Sequence, residues 1–283
     1  MCRRHSPVIP IAKRSRHLPP GLMTRWCPLP ASKAGFMSRR DHGSPPSVRT
    51  AMLLAAGKGE RMRPLTLETP KPLITVAGKP LIDYHIEKLV AAGVAKLVIN
   101  VSWLGQQIED HCGDGRRWGC AIYYSREDTP LETAGGIIQA LPLLGEQPFL
   151  LVNADIWTDF AFEALLKLSI EKSSAQLVLV DNPQHNTAGD FTLQGDTVER
   201  VARGAPGDSR EETLTYAGIG LYDPLFFHGC TPGKRPLLPL LERAIAENRL
   251  FGKHYPGHWT DVGTPERRSA LEQHLAEAAS TDA

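Results

Sequence analysis

The chain has 283 residues, 42% hydrophobic and 22% charged, with 32 Lys and Arg against 31 Asp and Glu and a net charge of +1. That supports one large domain or two small ones with a substantial core. No apolar run reaches the roughly 18 residues that cross a bilayer, so no membrane partner is expected. No G-X-Y period, heptad series or tandem repeat marks a fibre or a solenoid.

The even charge balance hides two unlike pieces. Residues 1–47 carry nine Lys or Arg, one acidic residue (Asp41) and eight of the 23 prolines. Subtraction leaves 23 basic and 30 acidic residues over 48–283, so a leader of +8 precedes a body of −7. The leader has no helical or strand period and is expected to be disordered, because it cannot bury enough surface to offset chain entropy. Its longest apolar stretch, Val8 to Ala12, is broken by Pro10, which argues against a secretory signal. An organellar transit peptide suits the Arg-rich composition, but the prolines spoil an amphipathic helix. Basic charge of this kind attracts nucleic acid only non-specifically, so no nucleic-acid partner is expected. The simplest reading is a mis-called start, since a GTG codon at Val48 would leave a complete domain over 48–278, followed by a short flexible tail at 279–283. Cys2, Cys27, Cys112, Cys120 and Cys230 show no CxxC spacing. Unpatterned cysteines imply reduced thiols, a cytoplasmic location and no structural zinc.

From Thr50 the body alternates strand and helix. TAMLLAA (50–56) is a short continuous apolar run, the mark of a strand buried on both faces. After a Gly/Pro-rich loop to about Gly78, residues 80–92 set Ile82, Ile86, Leu89 and Val90 on one helical face, and Gly93 ends the helix. KLVINV (96–101), AIYYS (121–125), FLLVNAD (149–155) and AQLVLVD (175–181) read as further strands. Helices are expected at 105–112 and 134–141. Beyond about residue 185 come shorter alternating strands (FTLQG, YAGIGLY, FGKHYP) and helices near 236–247 and 265–278. The pattern predicts an α/β domain on a mostly parallel, Rossmann-like sheet flanked by helices, with a smaller substrate-binding β subregion. Ligands in such folds sit beyond the carboxyl ends of the strands, where Gly57 and Asp155 fall.

The segment LAAGKGERMRPLTLETPKPL (54–73) carries the most chemistry. A glycine-rich turn after a buried strand lets backbone N–H groups approach a ligand, and Lys58, Arg61, Arg63 and Lys71 add positive charge. It is neither a dinucleotide fingerprint, since Met62 stands where the third Gly belongs, nor a Walker A loop, since Gly57-Lys58 is followed by Gly59. It does resemble the signature LAAGxGxRxxPLT…PKPL of the sugar-1-phosphate nucleotidyltransferases, with Leu54, Ala55, Ala56, Gly57, Gly59, Arg61, Pro64, Leu65, Thr66, Pro70, Lys71 and Pro72 in place. The resemblance continues through GKPLIDYHIEKLVAAGV (78–94), ETAGGI (132–137), NAD (153–155), YAGIGLY (216–222) and WTDVGT (259–264), and spans about residues 50–275.

The resemblance implies the nucleotide-diphospho-sugar transferase type of this fold. It also implies a nucleoside triphosphate and a sugar 1-phosphate as substrates and Mg²⁺ as cofactor. Leu54 to Gly57 and Gly59, with Glu132 and Asn153, would then hold the nucleotide. Arg61 would bind the triphosphate, Lys71 would bridge the reacting phosphates, and Asp155 and Asp261 would hold the metal. Spacing alone does not bring two aspartates 106 residues apart together. Lys58, Arg63 and Lys79 are equally readable as solvated loop cations. His254 and His258 lack a third ligand and read as a surface pair rather than zinc ligands. Trp157 and Trp259 read as packing beside the two aspartates.

Glu127 stands where thymidylyl- and uridylyltransferases of the family place a base-reading Gln. An ionised carboxylate only accepts hydrogen bonds, which suits the N3–H of uracil or thymine and the N1–H of guanine. On the sugar side the Glu-Lys-Pro triplet of many relatives is missing from GDTVERVARGAP (195–206). Instead, GQQIEDHCGDG (105–115), LVLVDNPQHN (177–186), GDF (189–191) and GHWTDVGT (257–264) look like the bacterial N-acetylmuramate-1-phosphate uridylyltransferases of peptidoglycan recycling. Asp190 and Gly218 are the candidates for the sugar. Mannose-1-phosphate guanylyltransferase and glucose-1-phosphate thymidylyltransferase remain alternatives. A non-catalytic sugar-nucleotide-binding regulator is a third, disfavoured by the presence of Lys71, Asp155 and Asp261.

Overall fold

The computed structural model describes residues 48–201 and 212–281. All of these lie within one compact unit, His42–Ala283, and the expectations for the leader fall outside the described residues.

Thirteen strands and six α-helices make up the described fold: β1 (Thr50–Leu54), β2 (Thr75–Val76), β3 (Lys79–Pro80), α1 (Leu81–Ala91), β4 (Lys96–Val101), α2 (Gly105–Cys112), β5 (Ala121–Arg126), α3 (Glu132–Leu144), β6 (Phe149–Asn153), β7 (Ile156–Thr158), α4 (Glu163–Leu166), β8 (Ala175–Val180), β9 (Phe191–Gln194), β10 (Thr197–Arg200), β11 (Thr215–Tyr222), α5 (Leu238–Ala246), β12 (Leu250–His254), β13 (Trp259–Asp261) and α6 (Pro265–Thr281). Nine strands form one sheet in the order β5-β4-β1-β6-β11-β8-β12-β10-β9. The pairings run all of these in one direction except β10 and β11. The expected mostly parallel sheet is therefore present.

Both faces are covered, as continuous apolar strands require. Leu53, Leu97, Ile99, Leu150 and Val152 pack on one side with Ile82, Ile86 and Leu89 of α1. Met52, Val98, Phe149, Leu151 and Leu177 pack on the other with α3 and α5. The helical face expected over 80–92 is real, with Ile82, Ile86 and Leu89 wholly buried. α6 continues to Thr281, three residues into the stretch expected to be a tail.

Where the sheet ends matters most for function. The expected strand 50–56 stops at Leu54 because the next N–H, of Ala55, leaves the ladder and donates to Asn100 Oδ1 at 2.7 Å. In register, Leu54 pairs with Asn100 on one side and Asn153 on the other. The carboxyl ends of β4 and β6 thus set an asparagine on either side of Leu54. β11 enters beside β6 in the opposite direction, and its register against β8 shifts between Tyr216 and Gly220. Within that irregular stretch Ala217 stays in the core, and its carbonyl accepts from Trp259 Nε1 at 2.9 Å.

Candidate active site

Three adjoining cavities open at these strand ends. The first, about 200 Å³, is lined by Leu54 to Gly57, Lys71, Asn100, Glu127, Thr133, Asn153 and Asp155. The second, about 570 Å³, shares Glu132, Thr133 and Asn153 with the first and continues to Asp190, Tyr216 and Leu237. The third, about 360 Å³, holds Arg61, Asn153, Asp155, Gly218, Trp259 and Asp261. Asn153 and Asp155 therefore stand where cavities meet.

Two short strands join the aspartates. β7 begins directly after Asp155, β13 ends on Asp261, and they pair antiparallel with Ile156 opposite Asp261. The Val262 N–H closes the junction on the Asp155 carbonyl at 2.8 Å. Trp157 and Trp259 lie on this same pair of strands. Trp157 packs with Leu81, Val262 and Leu271, while Trp259 also borders the third cavity.

The cations differ from one another. Lys71, buried between two prolines, donates from Nζ to Asp155 Oδ2 at 2.6 Å. Arg61 lines the third cavity and has no carboxylate partner among the described residues. Gly59 lies beyond the lining and anchors the turn, its carbonyl accepting Thr66 Oγ1 at 2.8 Å. Asp261 Oδ1 accepts from Arg267 Nη1 at 2.7 Å and lies 3.1 Å from His185 Nε2. Arg267 and His185 were not singled out by the sequence reading. Arg267 follows the WTDVGT motif by three residues, a signal visible in hindsight. His185 comes from the distant β8–β9 connection and had none.

Each aspartate commits one oxygen to a protein cation and keeps the other. Two hard carboxylate oxygens with open positions suit a divalent cation that completes its shell with phosphate and water. The residues present fit that group. Among the described residues no cluster of three or more His, Cys, Asp or Glu could enclose a metal by itself.

Glu127 is buried and its carboxylate is already engaged. Oε1 accepts from Asn100 Nδ2 at 2.7 Å and Oε2 from the Leu131 N–H at 2.8 Å. It borders the first cavity, yet its hydrogen bonds fix Asn100, and Asn100 fixes Ala55. Sequence reasoning missed Asn100, although a polar residue inside KLVINV was a signal. Glu132 opens α3 at φ 61° and forms a 3.3 Å ion pair with Lys234. Asp190 accepts from the Tyr216 N–H at 2.9 Å and from Asn186 Nδ2 at 3.1 Å, within the second cavity. Gly218 takes φ +72°, and a Cβ there would sit 2.5 Å from Asn153 Nδ2. His254 pairs with Asp181 at 2.7 Å, whereas His258 stacks on His274 at 3.6 Å.

The Nucleotidyl transferase family profile matches residues 50–278. The chain belongs to the nucleotidyl transferase family. It is 51% identical over 219 residues to a protein of Neisseria meningitidis serogroup B named N-acetylmuramate alpha-1-phosphate uridylyltransferase, covering 76% of this chain and 93% of that one. A Caulobacter vibrioides protein of the same name is 38% identical over 243 residues, covering 81% and 98%. The fold is shared with a crystal structure of UDP-glucose pyrophosphorylase complexed with UDP-glucose, at a TM-score of 0.65 and 19% identity over 82% of this chain and 99% of that one. Lys71 and Asp155 line the first of the three cavities and Arg61, Asp155 and Asp261 the third, so the residues that the family resemblance assigns to phosphate and metal lie around one junction.

Proposed function

We propose that the protein transfers the uridylyl group of UTP to N-acetylmuramate α-1-phosphate, giving the UDP-sugar and pyrophosphate in the cytoplasmic recycling of peptidoglycan. The observation that carries this reading is the convergence of Lys71, Asp155 and Asp261 where the first and third cavities meet. The 51% identity to a protein named N-acetylmuramate alpha-1-phosphate uridylyltransferase supports the choice of substrates.

A phosphomonoester has its second pKa near ~6, so at neutral pH the sugar phosphate is already mostly dianionic. It attacks the α-phosphorus in line without a general base. The obstacle is repulsion between that dianion and a triphosphate, so fixed positive charge supplies most of the catalysis. Lys71 draws the reacting phosphates toward Asp155, and Arg61 screens the leaving pyrophosphate. The Ala55–Gly57 backbone cradles the nucleotide, and the second lone pair of a Glu127 oxygen accepts the base N3–H. Asp155 and Asp261 would hold Mg²⁺, which when bound would supply positive charge to offset that of the phosphates. Asp190 and Gly218 face the sugar.

The test is pyrophosphate release with Mg²⁺, crossing UTP, dTTP and GTP against N-acetylmuramate-, N-acetylglucosamine-, glucose- and mannose-1-phosphate. A maximum at UTP with N-acetylmuramate-1-phosphate is expected. A maximum at GTP with mannose-1-phosphate would overturn both substrate assignments.

A further inference from the structure

The second cavity has a charge pattern that the reaction itself does not call for. Its walls are apolar on one side, from Phe191, Leu237, Leu238 and Leu241. Arg200, at the end of β10, is the single Lys or Arg among its described lining residues. The Arg200 guanidinium forms an ion pair with Glu242, on the α5 face that also supplies Leu238 and Leu241. That pair is only partly buried, with side chains 47% and 33% exposed, so it is open to exchange with a ligand. The other charged linings are carboxylates with partners of their own, Glu132 on Lys234 and Asp190 on Asn186 and the Tyr216 N–H.

N-acetylmuramate differs from N-acetylglucosamine by one group, a lactyl ether carrying a methyl and a carboxylate. An apolar wall beside one guanidinium matches both halves of that group. A planar guanidinium also binds carboxylates through two parallel N–H donors. We propose that Arg200 reads the lactyl carboxylate of the sugar substrate, with Glu242 occupying the guanidinium when the cavity is empty. The inference rests on the sugar proposed above and adds the residue that selects it.

The test compares KM for N-acetylmuramate-1-phosphate and N-acetylglucosamine-1-phosphate in the wild type, R200M, R200K and E242Q, with melting temperature as the folding control. R200M is expected to raise KM for the acidic sugar roughly 10- to 100-fold, the range of a charge-assisted contact. It should raise KM for the neutral sugar less than about threefold, and R200K should recover part of the loss. E242Q releases the guanidinium and lowers KM for the acidic sugar. Equal losses on both sugars in R200M overturn the role of Arg200. If R200M does not fold, an E242Q KM that is unchanged or higher overturns it instead. A wild type without preference for the acidic sugar overturns the sugar assignment itself, a result distinct from either.

Discussion

Asn100 connects more of the site than any residue the motifs contain. One side-chain amide accepts the Ala55 N–H and donates to Glu127, whose other oxygen holds the Leu131 N–H. The pair fits only because position 136 is Gly; a Cβ there would lie 2.6 Å from Glu127 Oε1 and 2.8 Å from Asn100 Nδ2. Truncating Asn100 strands a buried N–H and a buried carboxylate oxygen together, a cost of about 1–3 kcal/mol for each group. N100A is therefore expected to lower kcat/KM for UTP roughly 10- to 100-fold and to lower the melting temperature. Steady-state kinetics with thermal denaturation check both. The sequence marked Glu127 by its distance from ETAGG, but no spacing rule shows that its oxygens serve a neighbouring strand.

At the scale of elements, the placing of Asp155 and Asp261 depends on how β7 is held. His85 and Lys88, one turn apart on α1, reach the Ile156 and Thr158 carbonyls, both at 2.7 Å. Burial pushes the His85 imidazole down to about 4, so the ring is neutral and Nε2 donates its proton to Ile156. Above pH ~6.5, the usual value for His, the ring is neutral in the folded and unfolded chains alike. As pH falls from there toward 4 the unfolded chain takes up a proton that the folded ring refuses. Stability therefore drops across that window, by roughly 3 kcal/mol at its acid end. H85Q, which keeps a donor for Ile156, is expected to lose this part of the slope; urea denaturation at about pH 7 and about pH 4.5 measures it. Alternation and apolar runs made the main strands and α1, α2 and α5 legible, because each follows from local periodicity. The β7–β13 pairing was not legible, since two three-residue strands carry no period. Only the family motifs suggested that Asp155 and Asp261 meet.

For the molecule as a whole, both faces of the sheet close within the described residues. Val48 already belongs to the core, and its N–H bonds to the Leu166 carbonyl at 3.1 Å. Deleting residues 1–47 is therefore expected to leave activity and melting temperature unchanged. A large loss of either would assign the leader a structural role. The smaller subregion expected after residue 185 is continuous with the rest of the domain. β9, β10 and β12 extend the same sheet, and β11 is threaded between β6 and β8. Sequence order hides this insertion, because a strand that leaves and returns looks locally like any other.

The seam between β6 and β11, where the sheet reverses direction, also constrains how such a protein drifts. Asn153 occupies the space that a side chain at position 218 would need. A lineage cannot enlarge residue 218 first without driving it into Asn153, nor gain much by shrinking Asn153 while glycine remains opposite. The two positions are sterically coupled, so a viable change at one is expected to require a change at the other.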